Sequence, residues 1–372
     1  MLQIFNHFKE DEKRFFSIAA LILILGLLMV YSSSYIFALE IYDYSSYFFT
    51  RQMTNSLAGL SLFLLVSQTK FDFWVKYAHS ISIFSLFLVI LTFLPGIGVS
   101  IKGSSRWLNL FVAQFQPGEL LKYTTILMAV KFVTEFREYE LKEMFNQLSI
   151  LFSPIFLLAL QPDFGTFFIC FVVIVFIGFV SDFPRRIFYS VFFSLSIIGT
   201  IILTMADYRV QRLLTFLDPW KNPRSSGFQI IQSYLAFSNG GLFGLGIGNS
   251  TEKLLYLPEA HNDFIFSVVG EEFGFIGVCV LVFLYASLVF YGFKLALSFK
   301  QNTTQLVISG VIFLIGLQAV FNMGVVLGLL PTKGLNLPFF SYGGSSLICN
   351  FFGLGLIVSA LKKKYQAEQI CS

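Results

Sequence analysis

Few side chains in this sequence can do chemistry, and most of those fall in short clusters. Glu259, His261 and Asp263 stand within five positions of one another, just ahead of a long apolar run. Glu271 and Glu272 follow about two turns deeper at 3.6 residues per turn. Carboxylates and an imidazole so placed can accept or donate protons. Glu119 and Lys122 are spaced i,i+3, which lets opposite charges meet on one helix face. Asp163 lies in the corner Gln161-Pro162-Asp163-Phe164, and Arg106-Trp107 sets a guanidinium beside an aromatic ring. Arg and Lys are the groups that stabilise a departing phosphate.

Each candidate also has a structural alternative. Asp163 and Asp263 precede apolar runs, where a carboxylate can cap a helix and meet its positive end. Glu119, Glu271 and Glu272 can be internal anchors, because acids in apolar helices usually pair or face a cavity. Trp107 suits an interfacial aromatic belt, and His261 suits a hydrogen-bonding scaffold. The three histidines, His7, His79 and His261, lack zinc spacing. The four cysteines show no CxxC pattern and read as inert small hydrophobes.

The elements that must position these groups are helices in lipid. Of 372 residues, 56% are hydrophobic and only 12% charged, against about 25% charged in soluble domains. With a mean hydropathy of +0.76, this excludes a soluble globular protein. Apolar runs cover 15–39, 53–67, 77–94, 116–136, 148–160, 165–180, 187–205, 264–295, 306–330 and 341–361. A spanning helix needs about 20 residues, so the second, fifth and sixth runs must borrow from their flanks. Continuous runs suit helices, not the alternating strands of a barrel. The first run is followed by nine more and ends at no clear cleavage site, so it is not read as a removable signal. The expected fold is all-α: one polytopic integral membrane domain over 1–372 with about ten transmembrane helices. A large extracytoplasmic loop, 206–263, joins spans 7 and 8.

An even number of spans puts both ends on one side, and basic residues choose the side. Fifteen Lys and Arg fall on the face of the termini and nine on the other, five of those nine in the long loop. Residues 1–14 and 362–372 are therefore expected in the cytoplasm. All the chemistry-bearing clusters then face outward, where binding loops are elaborated. Within the long loop, the amide-rich stretch 227–233 reads as a re-entrant or surface-lying helix that lines a cavity. Its glycines at 240–248 lack the GxGxxG order and read as close backbone packing. The small net charge of +4, with scattered basic residues, argues against nucleic acid. No internal repeat supports an inverted-repeat transporter.

At these residues the chain resembles the SEDS family of bacterial cell-wall polymerases, over nearly its whole length. The matching motifs are Arg106-Trp107-Leu108-Asn109-Leu110, Phe115-Gln116-Pro117 with Glu119 and Lys122, and Gln161-Pro162-Asp163-Phe164-Gly165-Thr166. Further along they are Asp218-Pro219-Trp220, Leu257-Pro258-Glu259-Ala260-His261, Asp263-Phe264-Ile265-Phe266 and Ser341-Tyr342-Gly343-Gly344-Ser345-Ser346. Gly270-Glu271-Glu272 and Leu330-Pro331-Thr332-Lys333-Gly334-Leu335 resemble the division branch more than the elongation branch. Asn262, Gly118 and Gln114 depart from the family pattern, which usually has Thr, Ser and often a basic residue there.

The resemblance implies a peptidoglycan glycosyltransferase that polymerises lipid II at the outer leaflet during septal wall synthesis. It implies Asp263 as the catalytic base. Arg106, Trp107, Glu119, Lys122, Asp163, Glu259, His261, Ser341 and Tyr342 are the implied substrate-binding residues. Arg106 and Lys122 rank above Arg209 and Arg212 for pyrophosphate contact. No resident cofactor is implied, beyond a divalent cation such as Mg or Mn that could meet the pyrophosphate. The implied partners are lipid II, a class B penicillin-binding protein (an FtsI-like transpeptidase) and other divisome membrane proteins. The implied place is the inner membrane at the septum. Three alternatives stay open. A lipid II flippase would use the intramembrane Glu119, Lys122, Glu271 and Glu272. An elongation polymerase would share the motifs. A non-catalytic scaffold would pack a partner helix on the Gly270/Gly274 GxxxG pair.

Overall fold

Among the described residues, ten helices occupy the ten apolar runs. The computed structural model describes residues 8–101, 104–109, 114–204, 216–223, 227–253, 260–331 and 334–371. Glu259, Arg209, Arg212 and Lys333 lie outside the described residues. The helices are α1 (Glu10–Tyr42), α2 (Tyr47–Gln68), the short α3 (Phe71–Lys76), α4 (Ala78–Leu91), α5 (Pro117–Glu135), α6 (Leu141–Leu160), α7 (Phe164–Val180) and α8 (Arg185–Thr204). They continue with α9 (Phe228–Gly240), α10 (Ile265–Leu297), α11 (Asn302–Val326) and α12 (Gly344–Cys371). Two of the three runs expected to borrow from their flanks do so: 53–67 grows into the 22-residue α2 and 148–160 into the 20-residue α6, while 165–180 gains only Phe164 in the 17-residue α7. By length and composition alone, α1, α6, α10, α11 and α12 can each cross a membrane, while α4 and α7 are shorter apolar helices.

Local chemistry fixes several helix starts. Glu10, Asp11 and Glu12 crowd the first turn of α1, where the helix dipole favours negative charge, and Glu12 Oε2 accepts from the Lys9 amide at 2.9 Å. Pro117 opens α5, where its missing N–H costs nothing. Asp163 caps α7, accepting from the Thr166 amide at 3.4 Å and the Thr166 hydroxyl at 2.9 Å.

The helical expectation holds with one addition. The segment between α4 and α5 forms a small antiparallel sheet of β1 (Gly98–Ile101), β2 (Ser104–Asn109) and β3 (Gln114–Phe115), in the order β1-β2-β3. Trp107 pairs with Val99, and Leu108 pairs with Gly98 on one side and Phe115 on the other. Such short strands of mixed Ser, Gly and apolar residues leave too little alternation to be read from sequence.

α5, α11 and α12 form the interior. The most apolar stretches of α11 and α12 are 72% and 89% buried, against 22% for α6 and α10, which leave most of theirs for lipid. α12 packs along α2 and touches α5, while α10 packs on α1 and α11. Small residues permit the close approaches: a Cβ added at Gly353 would strike the Tyr123 ring at 2.5 Å. One face gathers both ends of the described chain. There Lys294 pairs with Asp11 at 2.9 Å, Lys363 with Asp72 at 2.6 Å, and the Tyr365 hydroxyl donates to Glu12. The opposite face carries the sheet, the Asp163 corner, α9 and the turns at 260–264 and 334–343.

Candidate functional site on the face opposite the termini

Three polar clusters lie on that opposite face. The first is built on the α6–α7 corner. The Gln161 amide donates to the Val89 carbonyl at 3.3 Å and to Thr92 Oγ1, which ties the corner to α4. Asp163 is buried, and besides its capping bonds it accepts from Gln116 Nε2 at 3.4 Å. From β2, Arg106 places Nη1 3.8 Å from Asp163 Oδ1, and its Nη2 donates to the Pro162 carbonyl at 2.5 Å. Its side chain is 33% exposed, so the guanidinium is oriented from below while part of it faces outward. Trp107 follows it on the strand and is half-buried. Deeper in α5, Lys122 pairs with Glu119 at 2.7 Å, as the i,i+3 spacing predicts. Lys122 is 1% exposed and has no hydrogen bond besides that ion pair. Beyond Glu119, the Lys122 ammonium keeps donors that no described hydrogen bond uses. Its charge acts on Glu119 and on the corner above.

The second cluster surrounds Asp263. His261 is buried among rings, its centroid 4.3 Å from Phe48, 5.6 Å from Phe37 and 5.6 Å from Tyr342. Its carbonyl accepts from the Tyr342 amide at 2.9 Å, which suits the scaffold reading of this residue. Asn322 of α11 donates to the Asp263 carbonyl at 2.8 Å and to the Leu335 carbonyl at 2.7 Å, so one buried amide clamps both segments. Asp263 is half-buried. A Cβ at Gly334 would lie 3.0 Å from Asp263 Oδ2, so glycine leaves room beside the carboxylate. The N-cap position of α10 is Phe264, one residue after Asp263.

Ser341 is buried, and its Oγ accepts from the Leu337 amide at 2.9 Å. Gln52 holds the same turn by donating to the Ser341 carbonyl at 3.1 Å and accepting from the Gly343 amide at 3.3 Å. Ser341 thus shapes the turn, while half-buried Tyr342 reaches its surface. The turn also joins the first two clusters. Leu335 lies 3.5 Å from where a Gly165 Cβ would sit at the start of α7, and Ser345 Oγ accepts from the Gln116 amide at 3.0 Å.

The third cluster is closed. Glu271 accepts from the Thr251 amide at 3.0 Å, the Thr251 hydroxyl at 2.8 Å, the Glu252 amide at 3.3 Å and the Ser250 hydroxyl. Glu272 accepts from Ser32 at 2.7 Å and pairs with Lys253 at 2.6 Å, with both charged side chains at most 1% exposed. Burial, and then the Glu271 charge, push the Glu252 carboxyl above its ordinary value. Glu271 and Glu272 are anchors for residues 250–253, one of the two readings their positions allowed.

The glycines complete this cluster. α10 breaks at Gly274, with φ 66° and ψ −163°, a conformation that an L side chain resists. The freed carbonyls of Glu271 and Glu272 accept from the Leu245 and Gly246 amides at 2.9 and 3.0 Å. The Phe275 amide donates to the Gly241 carbonyl at 2.9 Å. The run at 240–248 therefore repairs a broken helix by close backbone packing, as its composition suggests. This corrects the scaffold reading of Gly270 and Gly274. Gly240 and the Phe237 ring close on Gly270, and Gly244 and Leu242 close on Gly274, so no partner helix can use that pair.

Sequence reasoning missed Gln52, Asn322 and Lys253. Their signal was there for the first two: a lone amide inside or beside an apolar span is expensive unless it has a partner. Lys253 carried no signal beyond its charge.

The sequence matches the cell cycle protein family of FtsW, RodA and SpoVE over residues 12–366. It is 40% identical over 339 residues, 90% of each chain, to the probable peptidoglycan glycosyltransferase FtsW of Geobacter sulfurreducens. It is 35% identical to stage V sporulation protein E of Bacillus subtilis, over 92% of this chain and 94% of that one. Among solved structures it resembles a chain of a peptidoglycan synthase complex that coordinates polymerization and crosslinking, with a TM-score of 0.74, 30% identity and coverage of 95% and 98%. It also resembles the rod shape determining protein RodA of Thermus thermophilus, with a TM-score of 0.68, 29% identity and coverage of 95% and 97%.

Proposed function

The chain belongs to the cell cycle protein family of FtsW, RodA and SpoVE and is a multi-pass membrane protein; from that premise we propose that it is a peptidoglycan glycosyltransferase that polymerises lipid II during septal wall synthesis. The observation that carries the proposal is the half-buried Asp263 on the face opposite the termini. Its backbone is clamped by Asn322, and it shares a face with the part-exposed Arg106.

In the proposed reaction Asp263 takes the proton from the acceptor 4-hydroxyl as that oxygen attacks the anomeric carbon of the donor. The bond from that carbon to the pyrophosphate oxygen breaks, and undecaprenyl pyrophosphate leaves with its electron pair. Such a leaving group needs charge stabilisation more than protonation, and Arg106 supplies it. A single displacement inverts the anomeric centre. Trp107 and Tyr342 offer rings to the sugars, while Glu119, Lys122, Asp163, His261 and Ser341 hold the walls. A divalent cation at the pyrophosphate would be held largely by the phosphates. Among the described residues no three His, Cys, Asp or Glu side chains converge, and Mg²⁺ at such sites commonly takes one or two carboxylates plus substrate phosphates.

The same proposal puts the termini in the cytoplasm, on the strength of the basic-residue asymmetry. It pairs the chain with a class B penicillin-binding protein, supported by the likeness to a chain of a synthase complex. α10 turns Val280, Phe283 and Phe290 outward, where a single-span partner can pack. The test is purified protein with lipid II, with and without that partner, scored for glycan polymer. Transbilayer movement of lipid II without polymer would favour the flippase alternative instead.

A further inference from the structure

On the face of the termini, far from the chemistry above, a cavity of about 740 Å³ opens between the end of α5, the α7–α8 turn and the start of α11. Its polar lining includes Arg137, Arg185, Thr134 and Thr303, and its apolar lining includes Phe136 and Leu306. We propose that this cavity binds a phosphate-bearing anion, supplied as the headgroup of an anionic phospholipid in the adjoining leaflet.

Four observations support this. First, Arg137 and Arg185 both line one cavity, with Arg185 held over the Phe179 ring at 5.4 Å; among the described lining residues the one acid is Asp182, and its carboxylate is already engaged by Asn302 Nδ2 at 3.4 Å. Second, the helix C-terminal carbonyls at the cavity are occupied. The Ser181 amide donates to Ile177 O at 3.0 Å, the Ser181 hydroxyl to Gly178 O at 3.2 Å, and Arg185 Nη1 to Phe179 O at 2.5 Å. Third, the 25-residue α11 begins here, and its N-cap residue Gln301 offers it no side-chain cap. The uncompensated potential is therefore positive. Fourth, the pocket lies between helix ends and mixes arginines with apolar walls. Basic pockets between spans on the cytoplasmic side accept lipid headgroups. None of these residues takes part in the proposed glycosyltransfer, so the two readings stand or fall separately.

The test is native mass spectrometry of the full-length protein in detergent, titrated with dioleoylphosphatidylglycerol or dioleoylphosphatidylcholine. The expected result is retention of the anionic lipid alone. The variant Arg137→Gln/Arg185→Gln should weaken retention by roughly 30-fold, from about fivefold per cation near an anionic headgroup. Arg186→Gln, outside the lining, should not weaken it. Because Arg185 also caps α7, Arg137→Gln alone should be measured, with an expected loss of about fivefold. A parallel arm adds millimolar inorganic phosphate to lipid-free protein and follows thermal unfolding. Arginine-dependent protection there would support the phosphate site and assign its supply to the soluble pool. Anionic lipid and phosphate binding that both ignore the arginines would overturn the proposal.

Discussion

The Glu271–Glu272 cluster and the Asp163–Asp263 surface lie on the same face and use the same kinds of side chain, yet they differ in what is left over. The described side-chain interactions of Glu271 and Glu272 point inward, to Ser32, Asn239, Ser250, Thr251, the Glu252 amide and Lys253. At the other surface buried groups support groups that are not buried, and Arg106 Nε, Lys122 Nζ and Asn322 Oδ1 keep capacity that no described hydrogen bond uses: Arg106 rests on Asp163 and Pro162, and Asp263 is held through its backbone by Asn322. A buried acid in a membrane helix is therefore not evidence of a site. A polar network that ends in a part-exposed residue is better evidence, because it holds a charged group on rigid elements at the surface.

The comparison can be broken by variants on either side. Lys253→Met leaves Glu272 buried without its ion pair. Breaking a buried pair costs about 3–5 kcal/mol, so thermal stability should fall sharply. Lys253→Met/Glu272→Gln should recover much of it. If Lys253→Met instead kept full stability and lost only polymerisation, the closed cluster would be functional and the contrast wrong. On the open side, Arg106→Gln should lower polymerisation by roughly 100-fold, as loss of one preorganised charge-stabilising group does, with little change in unfolding temperature. Asn322→Ala removes donors to two carbonyls, each left buried at about 1–3 kcal/mol. It should lower both stability and polymer yield, and a loss of stability alone would separate Asn322 from the site.

The smallest expected effect concerns Glu252. Its pKa is raised in the folded state by burial and by Glu271. Folding therefore favours the protonated form. That stabilisation is present below the ordinary carboxylate range and is lost as pH rises through the raised value. Glu252→Gln should stabilise slightly at neutral pH and flatten this dependence, with a gain of under about 0.5 kcal/mol at so open a position. Thermal unfolding across pH 4 to 8 checks it.

The spans were legible because apolar runs in lipid leave little choice of secondary structure. The Glu119–Lys122 pair, the Asp163 cap and the packing role of the 240–248 glycines were legible because each is a local relation. What was not legible is long-range. Lys253 meets Glu272 from a loop, and Gln52 reaches a turn almost three hundred residues away. Gly270 and Gly274 matched a packing motif, but spacing does not say whose backbone fills it. The capping alternative for Asp263 stayed open in the sequence because a helix start cannot be fixed to one residue from sequence.

The most direct measurement is glycan polymer yield from lipid II with purified Asp263→Asn, in the presence of its penicillin-binding partner. Asn keeps the size and hydrogen-bonding capacity of Asp but takes no proton at neutral pH. A general base contributes about 100- to 10,000-fold, so a loss in that range is expected, with expression, unfolding temperature and lipid II binding unchanged. Near-wild-type polymer yield would contradict the assignment of Asp263 as the base and, with it, the reading of this surface as the active site.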